Sequence, residues 1–515
     1  MWGIREVRHR RDPITESILQ MNSLQQLLSF ARAGNLTRAW ALFRSSGWAA
    51  REDDPKALTL KGRLLKDRAR ASDGAERTRL YRLAAETYSA AAALELDSYP
   101  LINAAALSLL GGKPERARML AQETLAWLDE ESGKGENAYW RAATRAEALL
   151  LLGDETGARA ALADGIAELP RAWEDHAATL GQFELILTEQ GKDVAWLDRH
   201  RPPPSLYFSG LIGLDETDGT TLQEISAIIA REKPGFGYGA LAAGADILIA
   251  EALHRAGAEL HIILPYPVDR FRELSVAPFG KQWISRFDKL INAAARLDVL
   301  TELPDEDERS LAVAVELADL VAIGQCVRNA EMLKSRPKAL TIIGIGDQPR
   351  HKHLLWADSW HQEFLISVDR IAGQHSVTES SEDETREIAA LLWIDDFKGK
   401  VPEQLSQSAH MFQSAGDARY LISTDVAELL AMARMLLQHD ADSQISLLID
   451  IMDPEKPTAS LLEQARDVAR ASSGGLILTD YKSAMILTLE PGSHRVEEIG
   501  ELQAAHGTLA LWSLA

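Results

Sequence analysis

The chain of 515 residues contains a single cysteine, Cys326. One cysteine forms no intramolecular disulfide and builds no cysteine-rich zinc site, so a reducing compartment is the expected home. Basic residues are also scarce: 55 Lys and Arg stand against 76 Asp and Glu, a formal charge of −21. A surface that acidic repels phosphate backbones at long range, which argues against nucleic acid and against anionic membrane surfaces as partners. No apolar run approaches the length of a membrane span, and the basic start MWGIREVRHRRD is followed by no apolar segment of the secretory kind. A cytoplasmic protein is therefore expected, with residues 1–22 a loose tail. Neither of the two best-known phosphate fingerprints is present, since GKS, GKT and GxGxxG are all missing from the glycine-rich stretch described next.

What the chain does have is ordinary globular composition, 46% hydrophobic and 25% charged, and a length suited to roughly three domains. Its organising stretch is Gly235 to Pro265, GFGYGALAAGADILIAEALHRAGAELHIILP. Gly235, Gly237, Gly239 and Gly244 predict a loop, Ala245 to Ala256 a helix closed by Gly257, and Leu260 to Leu264 a strand. In α/β sheets ligands settle outside the carboxyl ends of the strands, where glycines admit a close backbone and a helix N-terminus offers N–H groups. A small-molecule site, for a nucleotide-like ligand, is the expectation. Asp246 in the first helical turn has two readings: a complement to the helix dipole, or an acceptor for a ribose hydroxyl.

From Leu24 to about Leu197 the chain is rich in Ala, Leu, Arg and Glu with helical periodicity. Gly34-Asn-Leu-Thr-Arg-Ala39, Gly112-Lys-Pro-Glu-Arg-Ala117 and Gly153-Asp-Glu-Thr-Gly-Ala158 each set Gly five residues before Ala, between two apolar helices. With a weaker copy around Gly74 to Leu96, the intervals fit a unit of about forty residues, a TPR-type solenoid of helical hairpins. Such arrays bind a protein partner or serve as spacers or oligomerisation arms. The stretch Asp97 to Ala117 also resembles the TRAFs-binding helical region of the apoptosis signal-regulating kinases and its bacterial relatives, which implies protein–protein contact.

After Arg201-Pro-Pro-Pro204 the character changes to α/β. Strands are expected at Leu206–Gly210 and Leu340–Ile345, helices at Leu222–Ala230, Phe287–Leu300 and Leu311–Ala322; this alternation predicts a mostly parallel, doubly wound, Rossmann-like sheet. Ser209-Gly210, GYGALAAGADILIAEAL and HIILPYPVDRFRELSV, with Ala322-Ile-Gly-Gln325 and Gly346-Asp347 downstream, resemble the SLOG superfamily of Rossmann-like domains, in the form found between TPR-type repeats and nucleotide-cyclase domains of bacterial proteins. The resemblance implies a nucleotide or nucleotide-derived ligand lined by Ser209, Gly210, Gly237, Tyr238, Gly239, Gly244, Asp246 and Glu251, with Pro265, Phe271 and Ser275 on the next loop. The PGGxGTxxE arrangement of the enzymatic members is missing, which favours binding without cleavage. From the residues alone, Glu251 reads equally as a solvated helix carboxylate and Phe271 as a core aromatic. Asp347, His351, His353, Asp358 and His361 fit no established zinc spacing and read as a polar loop.

Ser376 to Glu387 is a charged linker, and α/β pattern resumes beyond it with strands at Ile388–Ile394, Ile445–Ile451 and Leu476–Leu478, helices at Val426–Leu437 and Leu461–Ala471, and final strands in RVEEIGELQAAHGTLALWSL. This order resembles a class III nucleotide cyclase domain. The resemblance places Asp396 (in Asp396-Phe-Lys-Gly399) and Asp417 (in Gly416-Asp417) at the Mg²⁺ or Mn²⁺ site and Arg470 at the transition-state arginine. Arg466 stands where the family has asparagine, the two aspartates are closer than in active members, and no base-reading Lys/Asp pair is evident, so a degenerate, non-catalytic module is expected, still able to form a homodimer.

The expected organisation is thus multidomain: a tail, residues 1–22; a TPR-like helical domain, 23–200; a SLOG-like ligand-binding domain, 203–372; an acidic linker, 373–387; and a cyclase-like α/β sandwich, 388–515. The expected function is a signalling protein that senses a nucleotide-like ligand. Two alternatives stay open, an active divergent adenylate or guanylate cyclase and a scaffold without ligand.

Overall fold

The computed structural model describes residues 24, 27–28, 30–32, 34–130, 137–214, 219–300, 308–345, 362–368, 386–395, 413–415, 418–440, 443–472, 475–490, 496–504 and 507–514. Contacts divide the chain into two compact units. One runs to Ala172 and includes Gly181–Trp196 and Glu497–Gly500; the other comprises Trp173–Leu180, Leu197–Val496 and Glu501–Ala515.

The first unit is an array of helices: α1 (Leu36–Ser45), α2 (Pro55–Arg70), α3 (Gly74–Leu94), α4 (Ser98–Leu110), α5 (Pro114–Glu130), α6 (Ala138–Leu152) and α7 (Glu155–Glu168), with the second half of α8 (Trp173–Glu189). The repeat seen in the sequence has a backbone cause. Gly34, Gly74, Gly112 and Gly153 all take positive φ, at 83, 55, 73 and 90°, the left-handed turn that ends one helix and lets the next start. The alanine five residues on packs the hairpin shut: Ala39, Ala117 and Ala158 are all buried. Asn35, Asp54, Asp97, Asn137 and Asp154 accept backbone N–H bonds at the helix starts. Helix α4 is almost entirely buried, and its Asn103 accepts from the Lys66 ammonium at 2.9 Å. Burial pulls Lys66 down to about 8 and pushes Glu147 on α6 up to about 7.

The second unit holds two sheets. The first has six parallel strands, β1 (Ser205–Gly210), β2 (Phe236–Gly239), β3 (Glu259–Leu264), β4 (Arg296–Val299), β5 (Lys338–Gly344) and β6 (Gln362–Val368), in the order β4-β3-β2-β1-β5-β6. The second is mixed, with β7 (Glu387–Asp395), β8 (Gln413–Ala415), β9 (Ala418–Ser423), β10 (Gln444–Met452), β11 (Leu476–Thr479), β12 (Val496–Ala504) and β13 (Gly507–Leu514), in the order β12-β13-β11-β10-β7-β9-β8. The chain is thus a helical array followed by two α/β regions.

Side-chain alternation assigns the faces of the first sheet. Leu206 and Phe208 of β1 join a core with α9 (Gly219–Glu232), α10 (Ala245–Arg255) and α11 (Lys281–Ala293). Tyr207, Phe236, Tyr238 and Ile263 face the opposite way, onto α12 (Glu308–Met332). That same core continues through Leu317, Val321, Ile323 and Val327 of α12 into Leu392, Leu447 and Ile449 of the second sheet, with α13 (Val426–His439) and α15 (Tyr481–Leu487) filling the flanks. Helix α14 (Ala459–Arg470) covers the far face of the second sheet, against Leu391, Trp393 and Leu448.

Three sequence expectations are corrected. The glycines of GFGYG do not form a loop: Phe236–Gly239 is the buried strand β2, and the turn is confined to 240–244. Gly237 is a seat for Leu253, whose Cδ1 would lie 2.7 Å from an added Cβ, and a Cβ on Gly239 would collide with the Phe208 carbonyl. The helix expected at Phe287–Leu300 ends at Ala293, and Arg296–Val299 is edge strand β4; the apolar spacing there fits either period over so short a run. Finally, α12 contains a stretch, Ser310–Met332, long and apolar enough to cross a membrane. Burial on both sides explains its apolarity, since 67% of that window is buried against the two sheets.

Substituting Gly153 by valine forces a β-branched residue to φ 90° and is expected to cost about 1–2 kcal/mol, read by urea unfolding of the full chain. A loss of only a few tenths would contradict the turn assignment.

Candidate functional site

In a parallel sheet all carboxyl ends lie on one edge, and a crevice opens where the winding reverses. Here the reversal falls at β1, with β2, β3 and β4 on one side and β5 and β6 on the other. By that rule a ligand would sit beyond Ser209-Gly210 and Gly344, next to Gly239 and the turn that follows it. A Cβ on Gly210 would collide with Ala245, so glycine there lets the start of α10 press against the end of β1.

The turn 240–244 is tied down on three sides. Ala243 donates its N–H to the Ser275 carbonyl at 2.9 Å, and Gly213 donates to the Ala243 carbonyl at 2.7 Å. Ala245 donates to Leu211 at 3.1 Å. Gly244 has φ 109°, and a Cβ there would lie 2.6 Å from the Leu214 nitrogen. Asp246 has a task that neither sequence reading named: it is 6% exposed, and its Oδ2 accepts the Ala242 N–H at 3.1 Å, so it staples the turn to its own helix. Ser275 lies in a π-helical segment, Arg272–Val276, a form often found at functional positions, and its hydroxyl is 3.2 Å from the Tyr266 hydroxyl.

The structure thus gathers Ser209, Gly210, Gly239, Gly244, Asp246, Pro265 and Ser275 at one sheet edge. Four other predicted residues have packing roles. Gly237 and Tyr238 lie within β2, and the Tyr238 ring stacks on His261 at 4.7 Å toward α12. Glu251 accepts both Arg286 nitrogens, at 2.8 and 2.7 Å, and fastens α10 to α11. Phe271 stacks on Phe287 at 6.0 Å in the core. Ile212 and Ile345, just past the ends of β1 and β5, are 38% and 64% exposed; the sequence places Ile345 at the end of a strand, and an apolar residue gives no sign that it stands proud of one.

In the second sheet, Arg470 donates from Nε to Asp395 at 2.7 Å, and Asp395 is 7% exposed. The ion pair ties α14 to the end of β7. Asp396 and Asp417 lie outside the described residues, as do Gly346-Asp347, His351, His353, Asp358 and His361. Among the described residues no group of three or more His, Cys, Asp or Glu could hold a metal ion.

The N-terminal array supplies the decisive comparison. Residues 4–108 match the model of the Tetratricopeptide Repeats-Sensor family, TPR-S. No curated protein matches the chain. The TPR-S match agrees with the hairpins α1 to α4 and makes the helical region TPR-type, and the hairpin pattern continues past it through α5, α6 and α7. Arrays of this type commonly mediate protein contacts, and the family's description points to a signalling or sensor role.

Within β3, burial pushes His261 down to about 4, helped by the Arg296 guanidinium and opposed by Asp298. A folded value below the unfolded one means that the unfolded chain protonates first, so this stabilisation is complete above about 6.5 and is lost as pH falls through about 4. Urea midpoints at pH values of about 7 and about 4.5 should separate more in the parent than in His261→Gln; equal separations would contradict a half-buried neutral imidazole.

Proposed function

We propose that the protein is a signalling sensor in which the TPR-type array engages a protein partner and a SLOG-like domain binds a nucleotide or nucleotide-derived ligand at the carboxyl edge of the parallel sheet. The observation that carries this reading is the convergence, at the reversal point of a parallel sheet, of two tightly packed glycines and a pinned turn that fix the backbone at the strand ends. Exposed Ile212 and Ile345 just past the strand ends offer apolar contact to a flat ring. Ser209, Gly210, Gly239, Gly244, Pro265 and Ser275 form the proposed lining, with Asp246 fixing the turn.

In the same proposal the C-terminal module is a degenerate cyclase-like domain that serves as effector or dimerisation platform. Supporting this, the arginine proposed for transition-state duty is committed to Asp395 in an ion pair across α14 and β7. A catalytic arginine would have to leave that pair to reach a triphosphate.

The test is mass spectrometry of small molecules retained by the purified full chain after incubation with a nucleotide pool containing ATP, GTP and Mn²⁺. An unaltered nucleotide retained by the parent and lost in Ile345→Trp, which adds bulk past the strand end from an exposed position, is expected. Accumulated cyclic nucleotide would overturn the non-catalytic reading, and an empty protein would overturn the ligand.

A further inference from the structure

Helix α12 makes contacts of two kinds on opposite sides. Toward the first sheet, the Tyr207 hydroxyl of β1 donates to Asp319 at 2.9 Å, and the Asn329 amide donates to the Ser205 hydroxyl at 2.9 Å. Tyr207 stands two residues before Ser209, on the same face of β1, so the strand that ends at the proposed site is bonded to the helix just behind it. Toward the second sheet, Gly324 lies directly against the backbone of α15: a Cβ at that position would collide with the Met485 carbonyl. One turn away in α15, Tyr481 donates its hydroxyl to Asp298 of β4 at 3.2 Å, and Asp298 also accepts from Gln325 of α12 at 2.8 Å and pairs with Arg296 at 2.9 Å.

The Arg296 guanidinium covers the Tyr481 ring at 4.5 Å. Tyr481 packs on Trp512 of β13 at 5.8 Å, and Trp512 is covered in turn by Arg328 of α12 at 4.6 Å. From α15 the contacts enter the second sheet itself, because the Ser483 hydroxyl accepts the Ile449 N–H of β10 at 2.7 Å.

We propose that α12 is a relay: a change at the end of β1 shifts the helix through the Tyr207–Asp319 bond, and α15 with strand β10 follows through the Gly324–Met485 seat and the Asp298–Tyr481 bond. The seat has no free space, so the helix cannot move there without moving α15. The bonds at both ends are directional, so a shift of one is felt as lost geometry at the other. The relay stands independently of the ligand's identity, and its test uses no ligand.

Hydrogen exchange by mass spectrometry on the full chain reads it. Tyr207→Phe keeps the ring and removes the hydroxyl that bonds Asp319. The relay predicts that exchange in Tyr481–Leu487 and around Ile449 becomes at least about fivefold faster, while α14 on the far face of the second sheet is unchanged. Asp319→Asn, which keeps an acceptor for the same hydroxyl, should show a smaller effect in the same places. Gly324→Val should accelerate Tyr481–Leu487 directly. Changes confined to β1 and α12 in Tyr207→Phe, or an unaltered α15 in Gly324→Val, would overturn the relay.

Discussion

The structure of the α/β unit depends on one constraint, the burial of α12 on both of its faces. A helix with Leu317, Val321, Ile323 and Val327 all buried gains about 1.5–3 kcal/mol per fully buried aliphatic side chain, and neither sheet alone could supply that cover. The parallel sheet takes one side and the mixed sheet, with α15, takes the other. This is why a helix apolar enough for a membrane occurs beside ordinary amphipathic ones, and why the two sheets fall in one compact unit.

The same constraint leaves the carboxyl ends of the parallel strands as the place for the proposed site. Helix α12 covers one face of that sheet and α9, α10 and α11 the other. At the strand ends the glycines work as spacers: Gly210 admits Ala245, Gly244 admits the segment at Leu214, and the Ala240–Gly244 turn is held by bonds from Ser275, Leu211 and Asp246. A turn held this firmly is preorganised, which lowers the ordering cost of binding.

Much of this was legible in the chain because it rests on local rules. The hairpin repeat is visible because glycine is needed for a left-handed turn at each of Gly34, Gly112 and Gly153. The glycine-rich stretch misled because glycine marks both turns and close packing; only the tertiary neighbours, Leu253 for Gly237 and Phe208 for Gly239, tell which is meant. Tyr238, Glu251 and Phe271 carry side chains suited to a ligand, yet their partners His261, Arg286 and Phe287 come from distant segments that no spacing rule connects. Arg470 likewise sits where a family pattern wants an arginine, and only the structure pairs it with Asp395. The Asp298 node was invisible for the same reason, since it joins β4, α12 and α15.

The central claim is that the two sheets share one core through α12. The most direct measurement is native-state hydrogen exchange in increasing urea, following Tyr207 and Phe208 of β1 against Leu447 and Leu448 of β10. A shared core predicts that these amides converge on one isotherm and open together. Separate isotherms, with one sheet opening while the other stays protected, would contradict it.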